Sequence, residues 1–307
     1  MDENRFEEEI EIVNTIANFI FSKMNIGTEW SELDILDDVN VSKHKIQELG
    51  VKISIHNPEL TATILEIANS IYFCYNPLGR VPDFFDAVIR MGADRVKTLI
   101  FALMLFSFGK SPDARMRAAK SASISVLSKM IAEEMNLNDD TIRKVEAGGL
   151  LSQLGESVFM KARELEMPVS DSIIQKYKTF LATVIIDKLH LDPFLKKAVD
   201  LSIMEFDEKS FSLVGIIKLA ETLTEDSFKK YGKLVLISPM PDKDNIVART
   251  PGDTISRLFF ALGIEEYLEI REDPTLKQRE ATTRQRKEAK VRNITPGGKT
   301  KDSGNNR

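Results

Sequence analysis

The chain has 307 residues, 43% hydrophobic and 29% charged, enough apolar material for one large core or two adjoining ones beneath a soluble surface. Its one cysteine, Cys74, excludes a disulfide framework or thiolate metal cluster within one copy and fits a reducing compartment, the cytoplasm. The net charge of −5 conceals an asymmetry: residues 275–307 hold ten Lys/Arg and three Asp/Glu, so they carry +7 and residues 1–274 carry −12. Such an acidic body repels nucleic acid, whose binding rests on clustered cations.

Residues 1–11 carry five glutamates and one aspartate where a signal peptide needs a basic start. Phe6, Ile10, Val13, Ala17, Ile20 and Phe21 then recur at three and four, predicting an amphipathic helix over 4–24. Its stripe needs a partner surface and suits dimerisation. Trp30 follows in an acidic stretch, either buried against the bundle or anchoring a protein partner. Ile46, Leu49 and Ile53 predict a helix from near Ser42, although Gly50 weakens it. Asn57-Pro58-Glu59 supplies a cap, a proline at the first helical position and an early acid, ahead of a core face of Leu60, Ile64, Leu65, Ile67 and Ala68.

Pro82-Asp83 opens a short helix bearing Phe84, Ala87, Val88 and Met91 and ending at Gly92. Residues 99–108 form the most apolar run, about half the roughly 20 residues a helix needs to cross a bilayer, and read as a buried core helix. Ser111-Pro112-Asp113 starts a helix reaching Met135, Asp139-Asp140 one reaching Leu154, and further helical periods run over 171–190, 192–204 and 211–224. Leu234-Val235-Leu236-Ile237 predicts a short strand or extended connection, ended before Pro239 and Pro241. Asp253 caps a last helix carrying Ile255, Leu258, Phe259 and Leu262. Beyond Pro274 no aromatic occurs, predicting a disordered basic tail. There Arg284, Arg286, Lys287, Lys290 and Arg292 are candidate contacts for an acidic partner, a membrane surface or nucleic acid.

Three segments stand out: Asn57-Pro58-Glu59-Leu60-Thr61 with Ile64-Leu65 and Ile67-Ala68-Asn69-Ser70; Ala87-Val88-Ile89-Arg90-Met91-Gly92; and Ala147-Gly148-Gly149-Leu150-Leu151-Ser152-Gln153-Leu154-Gly155. Together they resemble the HDOD domain family. The resemblance implies an all-α, two-lobed, HD-like helical bundle over 35–235, divided into 35–110 and 111–235. Residues 1–34 then form a leading helix and acidic linker, 236–274 a one-helix extension, and 275–307 the tail. In the HD phosphohydrolases, which this family is similar to, a His-Asp pair and two outlying residues hold divalent metal that makes water a nucleophile. Here the pair reads Ser152-Gln153, the leading histidine falls near Lys120, and an acid survives at the trailing position, Glu221.

The resemblance therefore implies a non-catalytic output or scaffold module of bacterial signal transduction, with no metal or cofactor, binding a signalling protein or a nucleotide messenger. Two rivals stand beside it: a degenerate metal-dependent phosphohydrolase, and a nucleic-acid-associated regulator working through the tail. His44, His56 and His190 have no partner at ligand spacing. Gly148-Gly149 lacks both the preceding strand and the following Lys-Ser/Thr of a phosphate loop, and reads as close helix packing.

Overall fold

The structure, a computed structural model, describes residues 3–38, 40–69, 80–107, 111–200, 212–238, 255–256, 258–260 and 262–272. Helix α1 (Glu3–Lys23) leads by a 3-10 helix (Trp30–Asp37) to α2 (Lys43–His56), α3 (Pro58–Asn69), α4 (Phe84–Met91) and α5 (Ala93–Ser107). Next come α6 (Pro112–Glu134), α7 (Asp139–Leu151), α8 (Leu154–Glu164), α9 (Asp171–Lys188), α10 (Phe194–Val199) and α11 (Leu213–Tyr231). Two short strands, β1 (Leu234–Ser238) and β2 (Leu268–Glu272), pair in parallel. The fold is an all-α, HD-like bundle with this ribbon attached. Among the described residues no helix is long and apolar enough to cross a membrane.

Short polar side chains set the helix starts. The side chains of Ser42, Asp83, Ser111, Asn138, Ser170 and Ser212 each accept a hydrogen bond from a backbone N–H three residues on, satisfying a donor that the first turn leaves unpaired. Gly50 does not break α2. It lets α4 close in, since a Cβ there would stand 2.5 Å from Cβ of Phe84.

Several expectations need correcting. The α1 stripe does not wait for a second copy: Val13, Ile16, Ala17, Ile20 and Met24 are buried in the chain's own core, where α1 lies on α8 and α9. That core runs from α1 through α5 to α9 and takes in Phe259, so the leading helix shares a core with the HD-like bundle. A smaller core joins Ile124, Val145, Ala198, Ile216, Ile217 and Ala220. The helix predicted to reach Leu154 breaks at Ser152-Gln153, and α8 begins beyond it. Helix α11 runs on to Tyr231, where Gly232 at φ +70° ends it. The extension carries β2 as well as helical residues 255–256 and 258–260. Ser70, Cys74 and the tail residues Arg284, Arg286, Lys287, Lys290 and Arg292 lie outside the described residues.

Candidate functional site

The third motif segment forms the turn between α7 and α8, and close backbone contact fixes it from two sides. Gly149 rests on α6, where a Cβ would lie 2.8 Å from Cα of Ser125. Gly155 rests on α9, where a Cβ would sit 1.7 Å from the Lys178 carbonyl oxygen, so no side chain fits. Leu150 and Leu151 are buried between these contacts. Ser152 turns its hydroxyl back to donate to the Gly149 carbonyl at 2.8 Å, and Ser152 and Gln153 are half-buried.

They open onto a cleft of about 280 Å³ whose other walls come from α8, α9, the end of α10 and α11. Glu221 lines it, so the structure brings together three of the four positions at which the HD resemblance looks for metal ligands. Lys120 is not among them. It meets α11 one helical turn beyond Glu221, where its ammonium reaches both carboxylate oxygens of Glu225 at 2.8 Å and lies over the Phe228 ring. Residues that the sequence did not single out complete the walls: Glu156, Lys178, Thr179, Asp200 and Lys218. Glu156 follows the motif glycine directly and could have been read from it, whereas Lys178 is brought in only by the packing of α9 on Gly155. Asp200 carries no comparable signal.

The charges in the cleft do not suit a divalent metal. Lys218 Nζ stands 2.6 Å from Oε2 of Glu221, so an ammonium already neutralises the surviving carboxylate. Glu156 is held by Arg117 and faces Lys178 at 3.9 Å. A serine hydroxyl and a carboxamide replace imidazole and carboxylate, and both are weak ligands. Among the described residues no three His, Cys, Asp or Glu side chains gather at metal-holding distances.

The other motif residues serve the fold. Asn57 donates from its carboxamide to the Asn25 carbonyl at 2.6 Å, tying α2 and α3 to the end of α1, while Pro58 begins α3 and Leu60 is buried. Asn69 clamps Val81: its carboxamide donates to the Leu65 and Val81 carbonyls and accepts from Val81 N–H at 2.6 Å. Gly92, at φ +89°, ends α4 in a backbone conformation that side chains rarely adopt. Trp30, weighed as a partner anchor, is engaged internally, packed edge-on against Phe21 and Phe101 with its indole N–H donating to the Met24 carbonyl.

A second polar cluster escaped the sequence reading. Lys97 of α5 is fully buried, and its ammonium donates to Asp37 Oδ2 (2.6 Å) and to the carbonyls of Leu189 (3.2 Å) and His190 (3.3 Å). It pins the 3-10 helix to the end of α9. His190 reinforces the joint by facing Asp34 at 2.9 Å. Burial pushes the nearby Asp94 carboxyl up from its usual range, helped by Asp37 and Asp192 and opposed by Lys97. Deeper in, Arg95 pairs with Glu146, and burial holds the neighbouring Lys129 ammonium below its usual range. A lysine inside the most apolar helix was the one available signal.

The family model for the HDOD domain matches residues 32–184. No curated protein matches the chain. Three solved structures are similar. One, a Shewanella amazonensis SB2B protein bearing a phosphohydrolase name, is 16% identical at TM-score 0.44, over 77% of this chain and 83% of its own. A second, an HDOD domain protein of unknown function from Geobacter sulfurreducens, is 18% identical at TM-score 0.43, over 81% and 89%. The third, from Shewanella amazonensis SB2B and named as a metal-dependent phosphohydrolase, is 12% identical at TM-score 0.47, over 84% and 99%.

Proposed function

Because residues 32–184 belong to the HDOD domain family, we propose that the chain is a non-catalytic output or scaffold module of bacterial signal transduction, acting in the cytoplasm by binding. The carrying observation is the Lys218–Glu221 contact at 2.6 Å beside Ser152 and Gln153. In this reading an ammonium takes the place of a divalent cation, and the cleft keeps its shape without its hydrolytic chemistry. What remains is a concave surface with hydroxyl, carboxamide, ammonium and carboxylate groups exposed side by side. Such a surface orients a polar ligand, whether a segment of a signalling protein or a nucleotide messenger, through hydrogen bonds of both senses. In this reading the carboxylates of Glu156 and Glu221 are engaged by Arg117 and Lys218 instead of acting on water.

Metal analysis of the purified full-length chain, with phosphomonoester and phosphodiester hydrolysis assayed in added Mn²⁺ and Mg²⁺, tests this. The expected result is substoichiometric metal and turnover at the background rate. Stoichiometric metal, with hydrolysis that Glu221→Gln abolishes, overturns the reading in favour of a degenerate phosphohydrolase.

A further inference from the structure

The two-stranded ribbon has two outer edges, and the chain treats them differently. On β1, Val235 N–H donates to Ser227 Oγ at 3.1 Å, and that hydroxyl donates to the Lys233 carbonyl at 2.8 Å. One α11 side chain thus covers this edge. The same contact fixes the parity of the sheet: Val235 points its backbone groups away from β2, so Leu234 and Leu236 point theirs toward it. With Leu236 registered on Ile270, the backbone groups of Glu269 and Arg271 face β1 and those of Ile270 face outward. Leu268 N–H is taken up by the Glu265 carbonyl. Among the described residues no strand lies beyond β2, and an uncovered strand edge is a template for another strand.

We propose that the outer edge of β2 is a self-association surface that pairs with β2 of a second copy, antiparallel about a two-fold axis at Ile270. On that axis the two Ile270 residues exchange N–H···O=C bonds, and the Glu272 N–H of each strand reaches the Leu268 carbonyl of the other. Charge selects the register. Pairing centred on Ile270 sets Glu269 of each copy opposite Arg271 of the other, whereas centring on Glu269 or Arg271 opposes like charges. Within one chain Arg271 and Lys233 already meet Glu269, at 2.7 and 2.8 Å, and pairing of the strands brings each Glu269 a further cation, Arg271 of the second copy. The contact is far smaller than a stable dimer interface, so association is weak, on the order of 100 µM. This surface is independent of the cleft.

Sedimentation velocity on the full-length chain over a concentration series tests the proposal. Wild type forms a reversible dimer that weakens with added salt. Arg271→Glu and Glu269→Arg each loosen it about tenfold or more. An equimolar mixture of these two variants associates again, because each then meets the opposite charge, and the double variant recovers self-association. A wild type that stays monomeric, a dimer indifferent to both single reversals, or failure of both the mixture and the double variant to recover would each overturn it.

Discussion

Lys97 and Lys218 each place an ammonium 2.6 Å from a carboxylate, yet they belong to opposite kinds of region. The Lys97 side chain is 0% exposed and adds two backbone carbonyls to its carboxylate, so its three donors are spent inside the fold. Lys218 is 44% exposed and meets Glu221 at a solvent-open wall. Distance alone does not separate them. Burial and completion of the hydrogen-bond set make the first an architectural joint, while the second is free to exchange its partner for a ligand.

The hardest blow to that comparison comes from removing the buried ammonium. Lys97→Met should cost about 3 kcal/mol, since it strands two carbonyls and a carboxylate; urea unfolding checks this, and an unchanged midpoint would dissolve the contrast. Next is Gly155→Ala, which forces α8 off the α9 backbone and should destabilise by about 2 kcal/mol while widening the cleft, as read by thermal unfolding. Lys218→Met should shift stability by less than about 0.5 kcal/mol in the same urea series, because its ion pair is half in water.

The gentlest probe uses the ribbon, where Arg271 first and Lys233 second hold the half-buried Glu269 carboxyl down to about 2 from an ordinary 4.5. A depressed acid stabilises the folded state above pH 4.5 and loses that contribution as pH falls toward 2. The gap in melting temperature between wild type and Glu269→Gln should therefore be small and constant above 4.5 and close below it.

Local rules were legible in the residues themselves. Ser42, Pro58, Asp83, Gly92 and Ser111 act within three or four positions of their own place, so the helix starts and the α4 stop could be read without the fold. The Ser152-Gln153 substitution was legible too, because it interrupts a contiguous motif. Helix α8 was not, since Gln153 gives it no side-chain cap and the preceding helix was expected to run to Leu154, and β2 was not, since Leu-Glu-Ile-Arg-Glu is too short and too charged to declare itself. Lys120, expected beside the other three positions, is not in the cleft: one helical turn along α11 separates the cleft acid Glu221 from Glu225, which Lys120 meets.

The sequence by itself determined the helical class, most of the helix boundaries and the loss of imidazole and carboxylate from the central motif, because each of these is settled by neighbours along the chain. Only the tertiary structure decided that α1 spends its apolar stripe on α8 and α9, that Trp30 turns inward, that Lys97 reaches carbonyls 92 and 93 residues away, and that Lys218 stands against Glu221 in the cleft. The physical reason is that burial and charge pairing depend on distances in space, and apolar stripes and cations carry no mark of the partner that will cover them.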